Sequence, residues 1–238
     1  MRPRRPCSAP LTGSAFAGFC FPPEVIVLAV RWHLRFALSY RDVEELLAER
    51  GVEADHTAVY RWVQRFTPLL AEAARPCRHA VGDRWWVDET YVKVAGRWRY
   101  VYRAVDQFGQ IIDAFVSPRR DATAARRFFQ RAIATTKRVP IEVVTDGAAA
   151  YPMVLEDLLP VARHCTERYA NNRIEADHGR LKARLRPMRG LEQDHSASVV
   201  IAGQAFIQNV RRGHYELAVG MPMPRRVAAA FGELALAI

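Results

Sequence analysis

WWVDETYVKVAGRWRYVYRAVDQFGQIIDAFVS, residues 85–117, drops the helical spacing of the chain before it and is dense in Val, Tyr and Trp, residues that suit a pleated, half-buried surface. Gly96 and the cluster Asp106-Gln107-Phe108-Gly109-Gln110 divide it, so the stretch predicts three antiparallel strands joined by tight turns. Downstream, DATAARRFFQRAIATT (121–136) reads as a helix capped by Asp121. IEVVTD (141–146) is apolar on both faces, as a buried central strand requires. AAAYPMVLEDLL (148–159) is a helical run interrupted by Pro152, ARHCTER (162–168) an edge strand, and NNRIEADHGRLKARLR (171–186) a helix.

Three antiparallel strands followed by helix, strand, helix, strand and helix give an α/β domain in ribonuclease-H-like (retroviral-integrase-like) order. Upstream lies a different pattern. Pro22-Pro23-Glu24 opens the apolar run VIVLAVRWHLRF, and Ser39 with Asp42 three residues on suits a helix start. The helix YRDVEELLAER stops at Gly51, and after a short turn HTAVYRWVQRF follows. There Val59, Trp62, Val63 and Phe66 form one buried stripe, and Thr57, Tyr60, Arg61, Gln64 and Arg65 lie opposite. Arg and Gln can pair with base edges in a major groove, so Thr57, Arg61, Gln64 and Arg65 are candidate DNA contacts of a helix-turn-helix; a plain helical hairpin with a solvated face is the other reading. The segment PLLAEAARPCRHAVGDR, with Pro68 and Pro76, reads as a connector.

The division expected is therefore a disordered basic arm at 1–20, a small helix-turn-helix domain at 21–76, the ribonuclease-H-like domain at 77–215, and a C-terminal tail at 216–238 with helical character. Of 238 residues, 35 are Lys or Arg and 25 Asp or Glu, a net charge of +10 that favours a polyphosphate partner over a small neutral substrate. No apolar run approaches the roughly 18–20 residues that span a bilayer, so no membrane partner is expected. The N-terminal apolar stretch is broken by Pro10, Gly13 and Gly18, unlike a signal peptide. Cys7, Cys20, Cys77 and Cys165 lack zinc-site spacing and read as reduced thiols of a cytoplasmic protein.

Three acids stand out against this frame. Asp88 lies within a strand among Trp85, Trp86, Val87 and Tyr91, where a carboxylate is costly unless paired or metal-bound. Asp146 ends the buried strand, the end at which open sheets place ligands. Glu175 opens a helix. Together Asp88, Asp146 and Glu175 suit two divalent cations, Mg2+ by its preference for oxygen, with Mn2+ as a substitute. Each also has a structural reading: a salt-bridged strand residue, a helix cap, and a capping box Asn172-x-x-Glu175. By strand alternation Glu89 should face away from Asp88, and Asp177 sits about 200° round the helix from Glu175. Lys182, two turns after Glu175, and Arg186 beyond it continue its face with positive charge suited to flanking phosphates; His178 reads as a packing residue.

WVDETYVKVAGRWRYVYRAVD, TDGAAAYP and YANNRIEADHGRLKARLRPMRG resemble the DDE transposases of bacterial insertion-sequence family six, and the likeness runs from about Phe21 to Tyr215. It implies a catalytic domain that binds the terminal inverted repeats of its element, frees 3′-hydroxyl ends and transfers them into target DNA with Mg2+. By motif, Asp88, Asp146 and Glu175 take the catalytic and metal-binding places and Lys182 the basic place after the glutamate. Synapsis of two ends implies a homodimer or larger assembly, and a bacterial, nucleoid-associated location. The chain departs from the family's pattern in Gly147 after Asp146, where a basic residue is usual, in a short interval (147–174) before Glu175, and in AFAGFCF, which lacks the family's early basic charges. The alternative is a catalytically decayed transposase or a repressor that acts only by binding DNA.

Overall fold

The computed structural model of the chain describes residues 13–167, 171–188 and 191–238. It divides into two compact units, one comprising Met1–His79, Arg184–Arg189 and Phe206–Ile238, the other Ala80–Ala183 and Gly190–Ala205. The C-terminal residues group with the N-terminal helices.

The first unit contains helices α1 (Pro23–Phe36), α2 (Tyr40–Ala48) and α3 (His56–Ala74), together with α8 (Met223–Ala235), which packs against α1 and α3. Ser39 caps α2: its hydroxyl accepts from the Asp42 N–H at 3.1 Å, and the Asp42 carboxylate accepts from the Ser39 N–H at 2.8 Å. α3 is longer than expected. It runs through Pro68, although that residue removes a backbone donor, because Phe66, Leu70 and Ala74 continue the stripe of Val59 and Val63 at no exposure. Tertiary burial outweighs the local break. The arm expected at 1–20 is corrected in part: residues 13–20 are turns and bends, and Phe16 is buried and stacked on Phe66 with ring centroids 4.7 Å apart. Residues 1–12, with Cys7, lie outside the described residues.

His33 of α1 is buried with its ring stacked on Tyr40 at 4.3 Å. Burial pushes its pKa down to about 4, against a smaller opposing effect of the Leu38 backbone. A depressed folded value means the unfolded chain takes up this proton first, so the stability present above the ordinary value near 6.5 is lost as pH falls toward 4. The loss should be on the order of 3 kcal/mol for this group. His33→Phe keeps the stack and cannot titrate, so its melting temperature should fall less than that of the wild type between neutral pH and pH about 4; parallel curves would contradict the assignment.

The second unit is built on a five-stranded sheet of order β3-β2-β1-β4-β5. β1 (Arg84–Val94), β2 (Arg97–Asp106) and β3 (Ile111–Ser117) are antiparallel neighbours, whereas β4 (Glu142–Val144) and β5 (Arg163–Cys165) run parallel to β1. A three-stranded meander extended by two parallel strands through helical crossovers is the ribonuclease-H-like arrangement. One face is covered by α4 (Ala122–Thr136) and α5 (Tyr151–Leu158): Trp85, Val87, Tyr102, Ala104 and Ile112 pack with Phe128, Phe129, Tyr151, Val154 and Leu155. On the other face α6 (Asn172–Leu185) is tied to β2 by the ion pair Arg103–Asp177, 2.6 Å long and 0% and 2% exposed. Arg173 lies over the Trp86 ring at 4.7 Å. α7 (Asp194–Arg212) follows. Among the described residues no helix is long and apolar enough to cross a membrane.

The two parallel strands are shorter than the patterns at 141–146 and 162–168 imply, the last residue of which is not described. β4 pairs with β1 only across Arg84–Trp86. Beyond Trp86, β1 therefore runs on past the end of its parallel neighbour, and the acidic residues lie at this step in the sheet.

Candidate active site

Asp88 sits on β1 two residues past the last β4 pairing, with a 15% exposed side chain. Its carboxylate accepts the Glu89 N–H at 2.8 Å, yet its pKa is pushed up to about 7, chiefly by burial and then by the charge of Glu89, with Asp146 adding to it. The His178 Nδ1 lies 3.6 Å away, too far for a hydrogen bond. Burial, then the Arg103 charge, push His178 down to about 4, so its imidazole is neutral near pH 7 and does not neutralise Asp88. A carboxylate held with so little compensation is a group placed for a cation.

Asp146 lies two residues past β4 in the turn to α5. Its carboxylate accepts the Ala148 N–H at 3.0 Å, and the Gly147 N–H donates to Thr145 Oγ1 at 3.1 Å. Gly147 has φ +79°, a left-handed conformation that a branched or basic side chain adopts only at a cost, which accounts physically for glycine at this position. The turn aims Asp146 back toward β1.

Asp88, Glu89 and Asp146 each present an oxygen within 4.8 Å of the other two. Two of the three acids expected from the sequence are therefore brought together, and the presence of Glu89 is a correction. Alternation does direct Glu89 to the opposite face, where it accepts from the Tyr151 hydroxyl and from Arg120 and is 3% exposed. Because β4 stops at Val144, however, side chains from both faces of β1 reach the same uncovered edge. Arg120 also touches Asp146 at 3.3 Å. β3 runs in the same direction as β1, so the β3–α4 loop carrying Arg120 emerges at the acidic end. Nothing in the local pattern Ser117-Pro118-Arg119-Arg120 marks that role; only the strand directions do.

Glu175 is exposed in the first turn of α6 and does not join the group of three. It lies one turn before His178 and about 60° round the helix from it. The neighbouring Asp177 turns inward to Arg103. Lys182 is exposed, with its Nζ 4.4 Å from the centroid of the Tyr91 ring. Arg186 falls just after α6 ends at Leu185 and groups with the other compact unit.

On α3, Thr57, Arg61 and Arg65 are exposed and spaced by four, forming one stripe. Gln64 departs from it: it is half-buried, and both atoms of its side-chain amide are enclosed away from solvent.

The donor set of the acidic group is all oxygen, which fits hard divalent cations such as Mg2+ and argues against zinc. A family profile described as a DDE domain matches residues 82–214. The chain is 38% identical over 169 residues to the transposase for insertion sequence-like element IS431mec of Staphylococcus aureus strain Mu50, covering 69% of this chain and 75% of that protein. The same figures hold for the transposase of insertion sequence element IS257 in transposon Tn4003 of Staphylococcus aureus. Among solved structures, a simian T-cell lymphotropic virus intasome in complex with PP2A regulatory subunit B56 gamma aligns with TM-score 0.45 and 16% identity, over 84% of this chain and 74% of that one. The HTLV-2 integrase catalytic core domain in complex with magnesium aligns with TM-score 0.44 and 15% identity, over 63% and 99%.

Proposed function

The chain belongs to the DDE transposases of insertion-sequence family six, and from that premise we propose that it binds the terminal inverted repeats of its element, cuts there, and joins the freed 3′ ends to target DNA. The observation that carries the chemistry is the convergence of Asp88, from β1, and Asp146, from the turn after β4, where β1 runs on past its parallel neighbour. Asp88, Asp146 and Glu175 are the residues assigned to hold two Mg2+ ions, with Mn2+ as a substitute. When bound, such ions lower the barrier to phosphodiester transfer by activating the attacking oxygen and stabilising the leaving oxygen. The protein's own contribution is position and charge. The β1 strand and the Gly147 turn hold two carboxylates close together, and Glu175, exposed in the first turn of α6, is assigned the third place.

Glu89 is assigned a supporting part: Tyr151 and Arg120 already occupy its oxygens, so it tunes the group rather than leading it. Lys182 and Arg186 are assigned to phosphates that flank the cut. Joining of a labelled element end to a target duplex, dependent on Mg2+, tests the reading. A chain that binds the ends yet never cuts them in Mg2+ or Mn2+ would be a repressor or a decayed enzyme. Bringing two ends together calls for a homodimer or larger assembly, and DNA as partner for a cytoplasmic, nucleoid-associated protein.

Sequence preference is assigned to the exposed stripe of α3. Arg61→Ala or Arg65→Ala should narrow the gap between terminal-repeat and random DNA by about 1–3 kcal/mol at fixed salt. Thr57→Ala should act more weakly, as a single hydroxyl contact, and Gln64→Ala least of the four, because its amide atoms are enclosed away from solvent. Binding titrations on both DNAs read the ratio; an Arg61 or Arg65 variant that weakens both equally would make the stripe a phosphate contact only.

A further inference from the structure

β1 continues past the acids toward its hairpin with β2. The sheet face that α4 and α5 cover further down is uncovered here: Tyr100 and Phe115 still pack against the core, but Tyr91 is 54% exposed and Trp98 53%. Glu89, Tyr91 and Lys93 share a face by alternation, and Trp98 pairs directly across from Lys93. The two rings meet edge to face with centroids 5.0 Å apart. Each has a cation over it, Lys93 Nζ at 5.2 Å from Trp98 and Lys182 Nζ at 4.4 Å from Tyr91. Along the strand, Tyr91 is two residues, about 7 Å, from Glu89 and the acidic group.

Two exposed rings with two ammonium groups are a poor apolar interface, since lysine is depleted from protein–protein interface cores. They match the two needs of an unpaired nucleic-acid strand, a π-face for its bases and positive charge for its phosphates. A duplex, with its bases already stacked, has no use for the rings. We propose that Tyr91 and Trp98, with Lys93 and Lys182, form a stacking platform for unpaired bases of the DNA strand leading away from the acidic group. The part about that strand rests on the reading of Asp88 and Asp146 as the cutting site; the affinity for unpaired bases does not.

The test is fluorescence anisotropy with the full chain and a labelled oligothymidine, against a labelled duplex of equal length, in EDTA so that no cutting intervenes. The double variant Tyr91→Ala/Trp98→Ala should bind the single strand at least about tenfold more weakly and the duplex as the wild type does. Tyr91→Phe/Trp98→Phe, which keeps two aromatic faces, should retain single-strand affinity. Unchanged single-strand binding in the alanine variant, or an equal loss on both DNAs, overturns the proposal. So does loss of self-association with oligonucleotide binding intact, which would give the patch to a second copy of the chain. A wild type that binds the single strand through these rings but never cuts in Mg2+ would overturn the function proposed above and leave the platform standing.

Discussion

Asp88→Asn and Asp146→Asn should each lower Mg2+-dependent cleavage of element ends by about a thousandfold or more, the rate equivalent of roughly 4 kcal/mol at the transition state, while end binding survives. Asparagine keeps the shape of the side chain and can still accept the Ala148 N–H at 146 and the Glu89 N–H at 88, so neither the turn nor the strand is disturbed. What is removed is one negative charge and a strong metal-binding oxygen. At Asp88 a second effect has the opposite sign. Burial and Glu89 already push that carboxylate up to about 7, so holding its charge costs folding energy, and Asp88→Asn should melt no lower than the wild type. A protein at least as stable and far less active is what a group kept for chemistry yields. Wild-type turnover would end the assignment, and a fall in melting temperature would mean that Asp88 serves the fold.

The same assay ranks the third acid. Glu175→Gln should match the two aspartate variants, whereas Glu89→Gln should retain measurable turnover, because its one amide oxygen can still accept from either Tyr151 or Arg120. The reverse ranking would move the third role to the buried glutamate that shares the 4.8 Å group.

Features legible in the sequence were those set by neighbours along the chain. The strands of residues 85–117 follow from β-formers punctuated at Ala95-Gly96 and Gly109, with Gly96 and Gly109 at φ +75° and +80° as tight turns demand. The Ser39–Asp42 start of α2 is equally local. Local rules failed where a distant partner decides. Pro68 reads as a helix end, yet the buried stripe carries α3 on to Ala74. Gln64 reads as a reader of bases, yet packing encloses both atoms of its amide. Alternation places Glu89 away from Asp88, and only the early end of β4 lets both oxygens meet. Asp88 and Asp146 could be paired from sequence because each lies at a recognisable strand position. Arg120 could not, since its part depends on strand order and direction rather than on the residues beside it.

Breaking the buried pair that fastens α6 to the sheet should give the largest loss of stability. Arg103 and Asp177 are 2.6 Å apart with essentially no solvent contact. Removing one partner leaves the other charge in a medium that cannot solvate it, so Asp177→Ala should destabilise the unit by about 3–5 kcal/mol. In a chain of this size that corresponds to a melting temperature lower by about 10 °C. If the loss comes from the stranded charge rather than from a gap in packing, removing the second charge should reverse much of it. Arg103→Met combined with Asp177→Leu, both apolar and of fair volume, should therefore melt well above Asp177→Ala. Chemical denaturation of the single and double variants measures the difference directly, and a double variant no more stable than the single would show that volume, not charge, holds α6 in place. Asp177 lies only two residues from Glu175, so a helix that is stable again but free to shift on the sheet should still cut more slowly than wild type. Stability recovered without full turnover would mean that the pair serves to register Glu175 against β1 as well as to hold the fold.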